Sequence, residues 1–228
     1  MATSGTYSFN LDIPELIDAA FEISGLEGAR SGNDLRKARR HIDLILREWQ
    51  NDGINLWTLE LTSQALVDGT ASYSLAAATQ DIFDAYIRRG TTDFECQRIS
   101  LVDYNDRSKK TQEGLPNNFV LVRGITTPTL YFWPVPENST DVFWYWRIRD
   151  LQDSSTYTNT IDVPKRFLTA LTWGLAWQLA VGRPNPSQTE IGRLSMLGQK
   201  YAAAYQNARE GDRENADVRI IPDLTSYN

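Results

Sequence analysis

Asp162-Val163-Pro164-Lys165-Arg166-Phe167-Leu168 opens the stretch, running on to Glu210, around which the rest of the chain is organised. Asp162 is expected to cap a helix, with Pro164 in the first turn, where its missing N–H costs nothing. Leu168, Leu171, Leu175 and Leu179 fall on one helical stripe, and Ala170, Trp173, Gly174, Trp177 and Val181 on another. A helix apolar on two faces must be covered on two sides. The pattern breaks at Gly182-Arg183-Pro184-Asn185-Pro186 and resumes at Ser187-Gln188-Thr189-Glu190, a capping-box sequence. Ile191, Leu194, Leu197, Tyr201, Tyr205 and Ala208 give the second helix a single apolar face. The stretch is a helical hairpin that needs partners.

Those partners are expected at the other end of the chain. Asp12 and Glu15 form a second capping box, Ile13, Leu16, Ile17, Ala20 and Phe21 make an apolar face, and Gly25 is placed to end the helix in the left-handed conformation. Asn33 is expected to cap a longer helix reaching toward Gly53, with Leu35, Ala38, Ile42, Ile45, Leu46 and Trp49 as its buried stripe.

Between the ends the period shifts from 3.6 to 2. Leu56–Thr62 and Ala71–Leu75 alternate around an Asp68-Gly69 turn, and Asp81–Arg89 and Asp93–Ser100 turn near Gly90. Ser100–Lys110 reads as one helical turn plus loop. Asn118–Arg123, Thr129–Val135 and Asp141–Arg149 follow as strands, the whole predicting an antiparallel meander with an aromatic face. The fold class is α+β: a helical bundle built from both ends of the chain, an inserted antiparallel β domain and an extended C-terminal tail. The expected parts are 1–55 (arm and first two helices), 56–160 (β domain), 161–211 (hairpin) and 212–228 (tail). The tail combines charge with Val218, Ile220, Ile221 and Leu224, and Pro222 forbids a helix there, so it is expected to await a partner.

Composition narrows the function. With 228 residues, 41% hydrophobic and 23% charged, the chain has ordinary globular proportions. Its net charge of −6 argues against a grip on nucleic acid through overall charge. One cysteine excludes an internal disulfide. Met1–Asn10 lacks the pattern of a secretory signal, and no apolar run is long enough to span a bilayer, so a soluble protein is expected.

Catalytic chemistry finds little footing. His41, the single histidine, lies beside Arg39 and Arg40 and reads as a surface or interface residue; Cys96, in an alternating strand, reads as a small core residue. A carboxylate pair is the one option composition leaves open, but Glu48, Asp52 and Glu60 are no better placed for it than other acids. No phosphate-binding loop or dinucleotide fingerprint is present. Tyr131, Phe132, Trp133, Phe143, Trp144, Tyr145 and Trp146 offer either core or a stacking platform for sugars, with at least half assigned to core. Arg30, Arg36, Lys37, Arg39 and Arg40 form the one basic concentration, a solvated face or a contact for an acidic partner surface or for passing nucleic acid.

Several segments together resemble a known family: Gly5-Thr6-Tyr7-Ser8-Phe9-Asn10-Leu11, Asp34-Leu35-Arg36-Lys37-Ala38-Arg39-Arg40 running to Trp49, Asp52-Gly53-Ile54-Asn55-Leu56-Trp57, Thr129-Leu130-Tyr131-Phe132-Trp133-Pro134-Val135-Pro136, Asp162-Val163-Pro164-Lys165-Arg166-Phe167 and Val218-Arg219-Ile220-Ile221-Pro222-Asp223-Leu224. In order and spacing they are similar to the head-to-tail adaptor proteins of tailed bacteriophages, especially short-tailed ones. The resemblance implies a virion protein of the neck, assembled in the host cytoplasm, forming a ring, typically of twelve copies, beneath the portal. Its partners would be the portal protein, neighbouring adaptor subunits and a downstream tail or nozzle protein. DNA would pass through the channel without specific binding, and no membrane, cofactor or metal is implied. No catalytic motif is carried over, and the chain is not expected to be an enzyme. A carboxylate-dependent peptidoglycan hydrolase and a carbohydrate-binding module are the competing readings. The expected portal or subunit contacts are Val218, Arg219, Ile220, Ile221 and Leu224 in the tail, with Arg36, Arg39 and Arg40 on the second helix.

Overall fold

A computed structural model describes residues 9–26, 31–53, 56–154, 160–182 and 187–212. Its fold is mixed α+β, with five α-helices among the described residues. The chain parts into two compact units, one of Met1–Ile45 with Ser154–Asn228 and the other of Leu46–Asp153, the division falling inside the second helix.

In the first unit α1 (Ile13–Ser24) starts at an Asp12–Glu15 capping box and ends at Gly25, whose φ of 69° is the left-handed value that glycine adopts without strain. Ile13, Leu16, Ile17 and Ala20 are fully buried. The helix α2 (Gly32–Asn51) begins earlier than Asn33 would allow. Ser31 and Asp34 exchange hydrogen bonds at 3.3 and 3.1 Å, satisfying two amides where Asn33 could satisfy one.

The helix α4 (Lys165–Val181) starts after Pro164, not after Asp162. A cap at Asp162 would require Val163 to be helical directly before a proline, where the ring clashes with the preceding residue's α conformation. Pro164 caps instead through its carbonyl, which accepts from the Phe167 amide at 2.9 Å. Phe167, Leu168, Ala170, Leu171, Gly174, Leu175 and Ala176 are buried, as expected of a helix covered on two sides, and α4 packs against α1 and against α5 (Gln188–Glu210). Ser187 and Glu190 complete the predicted capping box of α5. Of its predicted face, Leu197 and Ala208 are buried, Tyr201 and Tyr205 are half-buried, and Ile191 is exposed. Arg166 pairs with the buried Asp212, just beyond α5.

In the second unit the strands do not run as a meander. One sheet has the order β1-β10-β3-β4, from β1 (Leu59–Ala65), β10 (Val142–Arg149), β3 (Thr79–Arg89) and β4 (Thr92–Glu95). The other has β2 (Ser72–Ser74), β8 (Thr129–Trp133), β7 (Asn118–Val122) and β5 (Gln97–Arg98), with β5 parallel to β7. A short parallel pair joins β6 (Glu113–Gly114) to β9 (Val135–Pro136).

Gly69 does turn the chain with φ of 70°, but the strands on either side enter different sheets. The Tyr73 hydroxyl ties that turn by accepting from the Val67 amide at 2.8 Å. The predicted hairpin about Gly90 forms, and the chain then changes sheet at Cys96. The two inner faces share one core in which Phe143 meets Phe132 edge-on at 4.9 Å and Phe119 at 5.5 Å. Asp141, buried just before β10, is satisfied by Arg89 at 2.7 Å and by Asn138 at 3.2 Å.

Candidate docking surfaces

The two sheets of the second unit differ in what covers their outer faces. Over β7 and β8 lies α3 (Leu101–Asp106) with the turn that follows it. Tyr104 approaches Tyr131 at 5.9 Å, the Arg107 guanidinium lies 4.2 Å from the centre of the Trp133 ring, and the Trp133 indole donates to the Lys109 carbonyl at 3.1 Å. Those aromatics are therefore occupied by the chain itself.

The outer face of β1-β10-β3-β4 is covered only in part. Leu61 stands opposite Trp146, and Ser63 opposite Trp144, which in turn stands opposite Tyr86. Arg88 lies 5.4 Å from both the Tyr86 and Trp144 rings, held there by Asp93 at 2.6 and 2.8 Å. Cation–π attraction thus closes one half of the face. On the other half Leu61 is 42% exposed, Trp146 40% and Phe83 67%. The register shift between Trp146 and Arg147 leaves Phe83 and Asp84, adjacent in sequence, both exposed. Of the seven aromatics singled out as core or platform, Phe132, Phe143 and Tyr145 are buried in core, and Trp146 is the exposed one.

On α2 the basic cluster resolves into different roles. Arg39 donates to the Ser154 carbonyl from Nε at 2.8 Å and also from Nη2, while Asp43 accepts from the Ser154 amide at 2.8 Å and from its hydroxyl at 2.7 Å. Arg39 therefore fastens the chain as it returns from the second unit. Arg47 is held by Asp150 at 3.2 Å and Asp153 at 2.8 Å. Arg36 and Arg40 are exposed and have no ion pair among the described residues. One turn further along the same side, Leu44 is 57% exposed. Val218, Arg219, Ile220, Ile221 and Leu224 lie outside the described residues, as does Arg30.

Catalytic candidates stand in settings of another kind. Glu60 receives Arg147 and Arg149, each at 2.8 Å, and the Arg147 hydrogen bond holds its carboxyl below the usual glutamate range, the reverse of what a general acid needs. A cleft of about 450 Å³ is lined by Gln50, Thr79, Asp81, Arg123, Ile125 and Asp150, among others. Asp81 is bridged by Arg98 at 2.7 Å and Arg123 at 2.5 Å, and Asp150 by Arg47 and Gln50, both at 3.2 Å. Both acids of the cleft are thus engaged by cations or amides. His41 is half-buried, and burial followed by the charge of Arg40 lowers its pKa. Among the described residues no group of three or more His, Cys, Asp or Glu side chains could hold a metal ion, and no helix is long and apolar enough to cross a membrane.

Among the described residues, then, the geometry leaves open a half-covered aromatic face and a basic stripe without an ion pair. Comparison with known families supplies the identity. A family model described as SU10 adaptor protein matches residues 12–222. The chain belongs to the SU10 adaptor protein family. This is a family of structural adaptors from the head-to-tail region of bacteriophages. No curated protein matches the chain. The match begins at the residue that caps α1, and it covers the whole of the second unit. For this adaptor it also takes in Val218, Arg219, Ile220 and Ile221, and stops short of Leu224.

Proposed function

We propose that this adaptor forms a closed ring beneath the portal and continues the DNA channel toward the tail. The family match over residues 12–222 carries the reading. The parts take separate roles: 1–55 and 161–211 supply the helical body, 56–160 the inserted β domain, and 212–228 a docking tail. Val218, Arg219, Ile220, Ile221 and Leu224 reach the portal or the next subunit, and a dozen copies are the expected complement from the resemblance. A downstream tail or nozzle protein is the third partner, and the setting is the neck of a short-tailed virion assembled in the host cytoplasm. A net charge of −6 suits a channel that DNA must traverse without sticking, because like charge repels the phosphates that a basic lumen would hold.

Burial of each apolar side chain of the tail is worth about 1.5–3 kcal/mol before ordering of the chain, about 1–2 kcal/mol per residue, is deducted. The surplus from one tail is small, so docking depends on many copies acting together. The test is co-sedimentation of the full chain and of a chain ended after Asp212 with portal rings of the same virus. Asp212 is kept because it is buried against Arg166. The full chain should sediment with the portal and the shortened chain should melt normally but stay in the supernatant. Equal co-sedimentation of the two would remove the tail from the contact, and failure of both would remove the portal.

A further inference from the structure

The two surfaces left open on this chain complement each other. The stripe on α2 is apolar at Leu44 and positive at Arg36 and Arg40, which have no ion pair among the described residues. The open half of the β1-β10-β3-β4 face is apolar at Leu61, Phe83 and Trp146, and negative at Asp84. Asp84 accepts from the Ala85 amide at 2.9 Å, and it too has no ion pair among the described residues. Elsewhere in the second unit the strand arginines Arg88, Arg89, Arg98, Arg147 and Arg149, and Arg123 just after β7, are each matched to a carboxylate. Among the described residues, then, the cations of one surface and the carboxylate of the other are both without an ion pair, and the two surfaces are complementary in charge as well as apolar.

We infer that these surfaces meet between copies: the α2 stripe of one subunit seats on the open sheet face of the next, with Arg40 or Arg36 reaching Asp84 and Leu44 lying among Leu61, Phe83 and Trp146. Two different patches on one chain make a heterologous contact, which generates a ring when its rotation closes. Apolar anchors inside a polar rim are the usual anatomy of such an interface. The inference rests on the ring reading above and names the contact that builds the ring.

The test is a charge swap between copies. Arg40→Glu and Asp84→Arg alter exposed side chains, so each variant should keep the circular dichroism and melting of the parent. With portal rings present, each variant alone faces like against like and should lose assembly at least tenfold, read as particle mass. An equimolar mixture of the two variants should recover it. In an alternating ring the carboxylate introduced at position 40 meets the guanidinium introduced at position 84 at one junction, and the next junction keeps the parent pair of Arg40 and Asp84. Leu44→Asp should also abolish assembly, with no recovery on mixing with either variant. Assembly unaffected by both charge changes, while the parent forms rings, would overturn this contact and leave the ring reading standing. Loss without recovery on mixing would also overturn it. Loss confined to Arg40→Glu would assign α2 to the portal and refute the subunit contact. A parent chain that never assembles, with or without portal, would refute the ring itself.

Discussion

A β-carbon built on Gly174 of α4 would lie 2.8 Å from Cε2 of Tyr201 on α5, closer than real carbon contacts allow. The reciprocal arrangement lies nearby, where a β-carbon on Gly198 would stand 3.3 Å from Trp177 Nε1. Trp177 and Tyr201 themselves stack at 6.0 Å, so each ring lies over a glycine of the opposite helix. The two glycines set how closely the hairpin closes.

Gly174→Ala therefore sets two effects against each other. In a free helix the change would stabilise by roughly 0.5–1 kcal/mol. Here the Tyr201 ring is confined by Trp177 and Tyr205, and overpacking of this kind costs about 1–3 kcal/mol. The expected outcome of urea unfolding is a net loss of stability, reversed when Tyr201→Leu is added. A Gly174→Ala chain more stable than its parent would show that α5 yields freely.

His41 predicts an acid-sensitive window. Burial and Arg40 depress its pKa in the folded chain below the ordinary 6.5, so the unfolded chain binds the proton more readily. Its Nδ1 is buried with no hydrogen-bond partner among the described residues, as suits a neutral ring. Stability from this source is complete above pH 6.5 and declines as pH falls below it. The carboxylates with lowered pKa, Glu60, Asp34 and Asp93, start from ordinary values of 4.5 for the glutamate and 3.8 for the aspartates, and act only in stronger acid. Urea midpoints measured on either side of that window should fall toward acid for the parent and stay level for His41→Gln.

Cys96 should be silent toward thiol reagents. Burial pushes its thiol up to about 12, and the side chain is 3% exposed, so almost no thiolate exists near neutral pH and none is reachable. A maleimide or disulfide reagent under mildly alkaline conditions should label the denatured chain fully and the native chain only as fast as it opens. Prompt native labelling would place Cys96 outside the core.

Much of this fold could be read locally. Capping boxes at Asp12 and Ser187 and the stripes of α1, α2 and α4 depend on residues three or four apart, which a sequence displays directly. Pairing between strands does not. Alternation marks a strand at Leu56–Thr62, where the structure has a short 3-10 turn and then Leu59–Ala65, and it does not tell that Val142–Arg149, nearly the whole β domain away, is the neighbour, so the strands flanking Gly69 look like a hairpin although they join different sheets. At the start of α4 the Asp162 carboxylate is the more visible signal, but the steric demand of Pro164 on Val163 decides the outcome.

The candidate contact residues divide along the same line. The charge of Arg36, Arg39 and Arg40 is plain in sequence, yet only the folded chain distinguishes Arg39, bonded to the Ser154 carbonyl, from Arg36 and Arg40, which have no ion pair among the described residues. Phe83 and Asp84 are not legible as a surface because an ordinary alternating strand would turn one of them inward, and a shift in register between Trp146 and Arg147 exposes both. No local signal announces that shift.

Electron microscopy of the full chain mixed with portal rings of its virus asks whether the adaptor closes into a ring on the portal. End views should show a closed, rotationally symmetric ring of added density around an open channel, absent from portal alone. Portal particles that stay bare at saturating adaptor, or that carry scattered copies without closure, would rule out the ring.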